Sequence, residues 1–363
     1  MIGLIGGYGQ VGIGAFKVLE SEYGSENIKI GGRNPENISE ENKKILKNAK
    51  IQKVDVYNKN SLVDFMKDCD LIVNCCGPSH KISYDIYKTS EELEKNYIDA
   101  GFDMRFSGEK NSNIKALYGC GSSPGFSGIS QKYLVSLFDK AENLNYYYGG
   151  ISKFTRAAAE DYLIGACEEK TGFMANYRNY KKEPLSSFEN IEAELPYFSD
   201  DIKIIPFFDD ECEETAKKTN IKNASWYIVS EGEKVTSIMK NARYGWKKDK
   251  EKCINNFITA VNLDIIEKKE YMCFLIECDG ISAGKYTKKR MAVKSYEPSD
   301  LTGFMTGISA IYLLNNDIDN GIYTMSEIVS PEYVWKMMEQ NNVTEIMTIT
   351  DVEDDEFFDE GEL

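Results

Sequence analysis

The sequence has little of what metal sites, nucleic-acid-binding surfaces and membrane spans require. Of its 363 residues only His80 is a histidine, and no C-x-x-C pair occurs among the nine cysteines, so a His-rich metal site and zinc-ligand spacing are excluded. The formal net charge is −16, and such a field repels nucleic acid and anionic membrane surfaces. No apolar run approaches the ~18 residues of a membrane-spanning helix. We therefore expect no metal, nucleic acid or membrane as partner.

The composition is that of an ordinary globular protein. Hydrophobic residues make up 42% and charged residues 28% of the chain, and its length suffices for two domains with their own cores. The first predicted strand begins at Met1 or Ile2, which leaves no room for a secretion or transit peptide, so we expect the protein in the cytoplasm. The adjacent Cys75 and Cys76 lie in an apolar segment, which favours reduced, buried thiols.

A glycine-rich motif stands near the start of the chain, between an apolar strand and an amphipathic helix. The strand covers residues 2–5, the motif fits G-x-G-x-x-G, and a second strand follows at residues 27–30. Gly7 is expected to allow a tight turn, Gly9 to let a pyrophosphate approach the backbone, and Gly12 to let the helix pack closely on the strand. This context favours a dinucleotide site over a glycine-rich turn of another α/β fold. The candidate cofactor-binding residues here are Gly7, Tyr8, Gly9, Gln10, Val11 and Gly12.

The residues after the second strand indicate which dinucleotide binds. NAD sites usually carry Asp or Glu at this point, whereas this chain has Gly32, Arg33 and Asn34. The guanidinium of Arg33 can pair with a 2′-phosphate through two parallel hydrogen bonds, and Asn34 can add a donor. The sequence therefore favours NADP(H) over NAD(H). The alternative is that Arg33 is a solvated residue at a strand end.

Strands and helices alternate over residues 1–125, as in a Rossmann-type parallel sheet. Further strands are expected at 51–56, 70–76, 96–101 and 114–118, and helices at 40–48, at 61–67 behind a serine cap, and around 91–94. A ligand of such a sheet lies beyond the carboxyl ends of its strands. We therefore add Asp55, Cys76, Gly77 and Pro78 to the candidate cofactor-binding residues.

The hydrophobic pattern of residues 126–300 predicts an α+β domain with a mixed sheet. Helices are expected at 126–140, 156–170 and 252–263, strands at 144–151, 226–229 and 235–241, irregular chain at 171–225, and a hairpin at 271–278 and 286–293 turning at 279–281. An apolar, buried helix follows at 302–314 within a C-terminal region, 301–345. The tail, residues 351–363, carries eight acidic residues in thirteen and is expected to be disordered.

These features together resemble the saccharopine dehydrogenase-like family, which includes saccharopine dehydrogenases and reductases, lysine dehydrogenases and carboxynorspermidine dehydrogenases. The likeness is carried by residues 7–12 with Gly32 and Arg33, by 68–78, 96–99 and 119–125, and by 320–327 after the last long helix. The order and spacing of the family's motifs hold over most of the chain, whereas residues 150–270 match the family only loosely. The resemblance implies a nucleotide domain, a substrate domain whose sheet often forms a homodimer, and a C-terminal helix that returns to the first domain.

The resemblance also implies hydride transfer at a carbon bonded to nitrogen, between an imine and a secondary amine of an amino-acid-derived small molecule. Such chemistry needs a proton supplier for the nitrogen. His80 and Lys81 follow the fourth strand and are the candidate catalytic residues, because an imidazole or a lysine of lowered pKa suits this task. The alternative is that His80 is an exposed loop histidine.

Three further residues are candidates for substrate binding. Arg156 can bind a carboxylate bidentately, Ser123 lies at another strand end, and Tyr148 lies in a run of three tyrosines of which one could donate a proton. The alternatives are a surface arginine at a helix start and a simple turn. Two other functions remain open: a reductase that tailors a natural-product or peptide intermediate, and a cofactor-bound regulatory protein without catalysis.

Overall fold

The computed structural model describes residues 1–167, 174–185 and 194–352, and these form thirteen α-helices and fifteen β-strands. The strands are β1 Ile2–Ile5, β2 Ile28–Gly32, β3 Lys50–Lys53, β4 Leu71–Asn74, β5 Asn96–Asp99, β6 Lys115–Tyr118, β7 Lys140–Ile151, β8 Ala175–Arg178, β9 Lys181–Pro184, β10 Lys203–Pro206, β11 Asn223–Ser230, β12 Tyr271–Ser282, β13 Lys285–Ser295, β14 Gly321–Thr324 and β15 Ile346–Asp351. The helices are α1 Gln10–Tyr23, α2 Glu40–Ile45, α3 Lys59–Met66, α4 Ser79–Glu92, α5 Phe126–Ser136, α6 Arg156–Cys167, α7 Asp210–Thr219, α8 Glu233–Lys240, α9 Ala242–Lys248, α10 Lys250–Asp264, α11 Pro298–Asn315, α12 Met325–Ile328 and α13 Pro331–Asn341.

The chain divides into two compact units. Unit 1 comprises Met1–Ile129 and Pro298–Val343, and unit 2 comprises Ser130–Glu297 and Thr344–Leu363. The C-terminal helix α11 thus returns to the unit that contains the glycine motif. This return is the arrangement that the resemblance implied.

Unit 1 is built on a parallel sheet with the strand order β14-β6-β5-β4-β1-β2-β3. All four residues of β1 are buried, as expected of a central strand with helices on both faces. From β1 the sheet continues through β2 and β3 on one side and through β4, β5 and β6 on the other, so the direction of strand addition reverses at β1. In open α/β sheets, ligands bind beyond the carboxyl ends of the strands at such a reversal point. The predicted Rossmann-type sheet is confirmed, and β14 adds a seventh strand that we did not predict.

Helices α1 and α11 of unit 1 pack at a close crossing that depends on glycine. A β-carbon at Gly303 would lie 2.3 Å from the backbone oxygen of Val11 and 2.8 Å from the backbone nitrogen of Ala15. Gly14 on α1 faces the same crossing, because a β-carbon at Gly14 would lie 3.2 Å from the Gly303 Cα. Since these neighbours are backbone atoms, they cannot move aside as a flexible side chain would. The predicted burial of the last long helix is confirmed.

Unit 2 contains a mixed sheet in the order β15-β13-β12-β7-β11-β8-β9, with β10 paired to β11. The central strand β7 runs parallel to β11 and antiparallel to β12. Alternation along β7 puts Tyr147 on one face, where its ring stacks on Tyr227 at 5.0 Å. Tyr148 lies on the opposite face and stacks on Phe274 at 4.8 Å. The expected α+β architecture of this region is confirmed.

The middle of the chain is more regular than predicted. Within residues 171–225 the described part contains β8, β9, β10 and α7, whose first turn is capped by the Asp209 carboxylate accepting the Cys212 N–H at 2.8 Å. The strand predicted at 235–241 is wrong, because this segment forms α8. Val235, Ile238 and Met239 recur at helical spacing, and the Asp264 carboxylate accepts the N–H of Val235 at 2.8 Å at the helix start.

Two local signals were also misread. The β12–β13 hairpin turns at Ala283 and Gly284, both with positive φ, rather than at residues 279–281, which continue β12. Helix α3 is capped by Asn58, which accepts the Ser61 N–H at 3.2 Å, so the predicted serine cap is wrong. The first residue of the predicted tail, Asp351, ends β15, and residues 353–363 lie outside the described residues.

The α1–α11 crossing gives a prediction for stability. Gly303→Ala should lower the free energy of unfolding by about 1 to 3 kcal/mol, because the added methyl group meets backbone atoms of α1. Gly165→Ala on α6 is the matched control, since a β-carbon there meets no heavy atom within 4 Å and alanine favours a helix by about 1 kcal/mol. Thermal unfolding of both variants checks this. Equal unfolding temperatures would contradict the close crossing.

Candidate functional site

The turn between β1 and α1 is held by glycine backbone atoms. Gly6 has φ +76° and donates its N–H to Gly31 O at 2.7 Å, and the Gly9 N–H reaches Gly6 O at 2.9 Å. The turn is therefore tight as expected, but the residue that needs a positive φ is Gly6. Gly7, where the sequence predicts the tight turn, packs instead against side chains, since a β-carbon there would crowd Ile30 and Leu4 at 3.0 Å.

Gly9 and Gly12 differ in what surrounds them. A β-carbon at Gly12 would lie 2.2 Å from Gly6 O and 2.6 Å from Gly7 Cα, so only glycine lets α1 begin this close to the turn. Gly9 is exposed, and a β-carbon there would meet only Gly6 O, at 3.3 Å. The motif thus combines close packing beneath with open space above its second glycine, which suits a ligand that approaches the backbone.

The N-terminus of α1 offers unpaired donors to that open space. The first intrahelical bond runs from the Ile13 N–H to Gly9 O at 2.9 Å, so the N–H groups of residues 10–12 have no intrahelical acceptor. No side chain caps the helix at Gly9, and its first turn contains no acidic residue. Gln10 is exposed and Val11 half-buried. An anion fits this helix start, because the N–H groups and the helix dipole both favour negative charge.

Arg33 lies just beyond β2, on the same edge of the sheet. Its side chain is exposed and makes no hydrogen bond or ion pair with any other residue that the structure describes. The Tyr8 hydroxyl accepts the backbone N–H of Asn34 at 2.8 Å, and its ring covers Gly32, where a β-carbon would meet the hydroxyl at 2.3 Å. Burial raises the pKa of Tyr8. Tyr8 thus fixes the turn that presents Arg33.

Asp55 lies two residues beyond β3, near the same edge. It is exposed, and its Oδ1 accepts the Tyr57 N–H at 3.1 Å. Its own N–H donates to the Ser61 hydroxyl at 3.0 Å. Asp55 therefore closes a turn, and its contact with the cofactor stays a prediction.

Residues 75–78 leave β4 and lead directly into α4. Cys76 donates its N–H to Asn74 Oδ1 at 3.0 Å, and a β-carbon at Gly6 would lie 2.8 Å from the Cys76 Sγ. Cys76 is half-buried, and desolvation raises the pKa of its thiol to about 12. Gly77 is exposed and Pro78 precedes the first residue of α4.

The candidate catalytic residues stand on a helix, not on a loop. Helix α4 begins at Ser79, so His80 and Lys81 occupy its first turn at the carboxyl end of β4. His80 is half-buried and Lys81 exposed. The alternative of an exposed loop histidine is therefore wrong, whereas the catalytic role of both residues stays a prediction.

The candidate substrate residues are divided between the units. Ser123 is exposed in the turn after β6 of unit 1, whereas Tyr148 and Arg156 belong to β7 and α6 of unit 2. The guanidinium of Arg156 pairs with the Glu251 carboxylate and donates to Asn255 at 3.2 Å. This pairing favours the alternative that Arg156 is a surface residue linking α6 to α10.

Sequence reasoning missed two buried polar residues beneath this edge. Asn74 and Asp99 end the adjacent strands β4 and β5, are partners in register, and are each fully buried. The Asn74 Nδ2 donates to Asp99 Oδ2 at 3.0 Å. Burial raises the pKa of Asp99 to about 6. The available signal was a polar residue ending each of two consecutive apolar strands.

The residues that the structure describes contain no group of three or more His, Cys, Asp or Glu side chains that could hold a metal ion. No helix among them is long and apolar enough to cross a membrane.

Comparisons with known proteins agree with this geometry. Residues 2–159 match the family model described as the saccharopine dehydrogenase NADP binding domain. The search of curated proteins found no significant match.

Solved structures extend the likeness in fold. The apo, histidine-tagged saccharopine dehydrogenase (L-Glu forming) from Saccharomyces cerevisiae superposes with a TM-score of 0.66 at 12% identity, covering 97% of this chain and 99% of that chain. DAP dehydrogenase from C. glutamicum, in complex with DAP, has 12% identity over 94% of this chain and 98% of its own, with a lower TM-score of 0.46. Residues 2–159 are thus similar to the saccharopine dehydrogenase NADP binding domain, and the chain shares the fold of the yeast saccharopine dehydrogenase structure.

Proposed function

We propose that this protein is an NADPH-dependent oxidoreductase that acts on a C–N bond, imine or secondary amine, of an amino-acid-derived substrate. The observation that carries the proposal is the glycine turn before the uncapped helix α1, with the exposed Arg33 beyond the neighbouring strand. The family match over residues 2–159 supports an NADP-binding oxidoreductase. The C–N bond rests on the resemblance to saccharopine dehydrogenases.

The preference for NADP(H) over NAD(H) rests on the end of β2. A ribose 2′-OH is usually held there by a carboxylate, and the residues at this point are Gly32, Arg33 and Asn34. A 2′-phosphate needs a cation instead. Arg33 is exposed and has no ion-pair partner in the described parts of the chain, so binding a phosphate breaks no existing contact.

The residues of the chain divide the work between binding and proton transfer. Bound NADP(H) would supply or accept the hydride at the carbon. The N–H groups at the start of α1 hold the pyrophosphate, and Arg33 holds the 2′-phosphate. His80 and Lys81, in the first turn of α4, supply or remove the proton at the nitrogen. Ser123 and Tyr148 are proposed to contact the substrate, whereas Arg156 would first have to leave Glu251.

A second candidate keeps the cofactor and changes the substrate. The family model ends at residue 159, so most of unit 2 lies outside it. This favours, as the alternative, a reductase acting on a natural-product or peptide imine. We propose that the protein acts in the cytoplasm and, as the resemblance implies, forms a homodimer through the sheet of unit 2.

The cofactor assignment predicts a selective effect of Arg33→Ala. Removing a charge-assisted, bidentate pair costs about 1.5 to 3 kcal/mol, so NADPH should bind about 10- to 100-fold more weakly while NADH binding is unchanged. Titration followed by nicotinamide fluorescence measures both.

Lys50→Ala is the matched control for this titration. It removes one positive charge from an exposed side chain at the opposite, amino end of β3, so it should leave both affinities unchanged. Equal weakening by Arg33→Ala and Lys50→Ala, or equal weakening of NADPH and NADH, would contradict a 2′-phosphate contact.

The catalytic assignment predicts a loss of turnover without loss of cofactor binding. His80→Ala and Lys81→Ala should each lower kcat for NADPH oxidation with an oxo acid and an amine by about 100-fold or more, the usual contribution of a positioned acid or base. Lys88→Ala, two turns further along α4, is the control and should leave kcat unchanged. Full turnover in both variants would rule out their proposed role.

A further inference from the structure

We propose that Asp99 is a positioning residue whose buried carboxylate, acting through the side chain of Asn74, fixes the segment of residues 75–78 where the nicotinamide half of the cofactor binds. The inference rests on the proposed function, because it assumes that a dinucleotide occupies this edge of the sheet. Strands β4 and β5 lie on the side of the reversal point opposite β2 and Arg33. A dinucleotide that spans this point puts its two halves on the two sides.

A continuous chain of hydrogen bonds connects Asp99 to that segment. The Asp99 Oδ2 accepts from Asn74 Nδ2 at 3.0 Å, and Asn74 Oδ1 accepts the backbone N–H of Cys76 at 3.0 Å. The other carboxylate oxygen, Oδ1, accepts the backbone N–H of Gly101 at 2.8 Å. Asp99 and Asn74 are fully buried, so water does not replace these contacts.

The carboxylate determines which way the Asn74 amide points. A carboxylate only accepts hydrogen bonds, so the Asn74 NH2 group must face Asp99 and its oxygen is left for the Cys76 N–H. An asparagine at position 99 has one acceptor oxygen for the two donors that Asp99 satisfies. Either Gly101 or Asn74 then faces an NH2 group, and a buried donor without an acceptor costs about 1 to 3 kcal/mol.

Asp99 forms no ion pair with another residue that the structure describes. The Tyr97 hydroxyl contacts both the Asp99 carboxylate and Ser83 O, the latter at 3.0 Å, yet it has one proton for two acceptors. When Asp99 is protonated, both contacts are satisfied, because Asp99 then donates to Tyr97 and Tyr97 donates to Ser83 O, while the Asp99 oxygens still accept from Asn74 and Gly101. Burial, the largest cause, raises the pKa of Asp99 to about 6.

The other groups that face Asp99 come from each neighbouring element. They are Asn74 of β4, Cys75 and Cys76 after β4, Ser83 of α4, Tyr97 of β5 and Cys120 after β6. Burial raises the pKa of Cys120 above its usual value and that of Cys76 to about 12, and Tyr97 is likewise shifted upward. These thiols and this phenol therefore stay neutral between pH 5 and 8, and Asp99 titrates among neutral neighbours.

The decisive experiment compares two ligands on wild type and Asp99→Asn. NADPH contains the nicotinamide half, whereas adenosine 2′,5′-bisphosphate contains only the half that Arg33 would hold. We expect Asp99→Asn to weaken NADPH binding about tenfold and to leave the bisphosphate affinity unchanged. Asn74→Ala removes the same link and should reproduce the result if Asp99→Asn does not fold. Ser90→Ala is the control, since this buried serine of α4 contacts its own helix at Ile86 O and the Met66 sulfur, not the Asp99 network.

Thermal unfolding gives a second readout. The folded-state pKa of about 6 exceeds the unfolded value of 3.8, so wild type loses stability from this group as pH rises from about 4 through 6. Asp99→Asn does not titrate at this position, so its stability does not fall in this way as pH rises. Its destabilisation relative to wild type should therefore be larger at pH 5 than at pH 8. His80→Gln controls for protonation of the one histidine.

The outcomes separate this inference from the proposed function. NADPH binding that is equal in wild type and both variants overturns the positioning role and leaves the function standing. Equal weakening of both ligands also overturns it, because general damage would explain the loss. If wild type binds neither ligand, the proposed function and this inference fail together.

Discussion

The close approach of helix α1 to the turn after β1 is the constraint on which the nucleotide site depends. Gly12 lies so near Gly6 and Gly7 that a single methyl group would overlap backbone atoms at 2.2 Å. This contact sets where the helix begins and which N–H groups it leaves without acceptors. The second close crossing, of α11 on α1 through Gly303, supports the same helix from another side. The close backbone packing and the proposed anion site therefore have one structural cause in this unit.

The parallel sheet connects that turn with the other candidate groups. Strand β2 brings Arg33 to the same edge, and β4 brings the segment of residues 75–78 and the first turn of α4. The buried pair Asn74 and Asp99 lies beneath this edge, where two adjacent strands end. Polar groups inside an apolar sheet are costly unless their hydrogen bonds are satisfied, and here they organise the backbone that leaves β4. The candidate binding residues above and the proposed positioning residues below thus share the strand ends.

Sequence reasoning succeeded where local chemistry dictates structure and failed where tertiary contacts decide. The strand-turn-helix at residues 2–23 and the buried α11 follow from glycine spacing and apolar periodicity. The sequence pattern does not reveal helix α8, because the start of this helix depends on Asp264, 29 residues away from Val235. It does not reveal the positive φ of Gly6 either, because φ is not visible in the sequence. The link between Asn74 and Asp99 was missed because it needs the register of β4 on β5. The roles of His80, Lys81 and the substrate candidates depend on a ligand that neither sequence nor fold specifies.

The central claim is that NADP(H) binds at the β1–α1 turn, and a crystal structure of the protein with NADP+ tests it most directly. The account predicts the pyrophosphate against the N–H groups of residues 10–12 and the 2′-phosphate against the Arg33 guanidinium. It also predicts the nicotinamide ring near residues 75–78. A dinucleotide bound elsewhere, or a 2′-phosphate pointing away from Arg33 into solvent, would contradict the account.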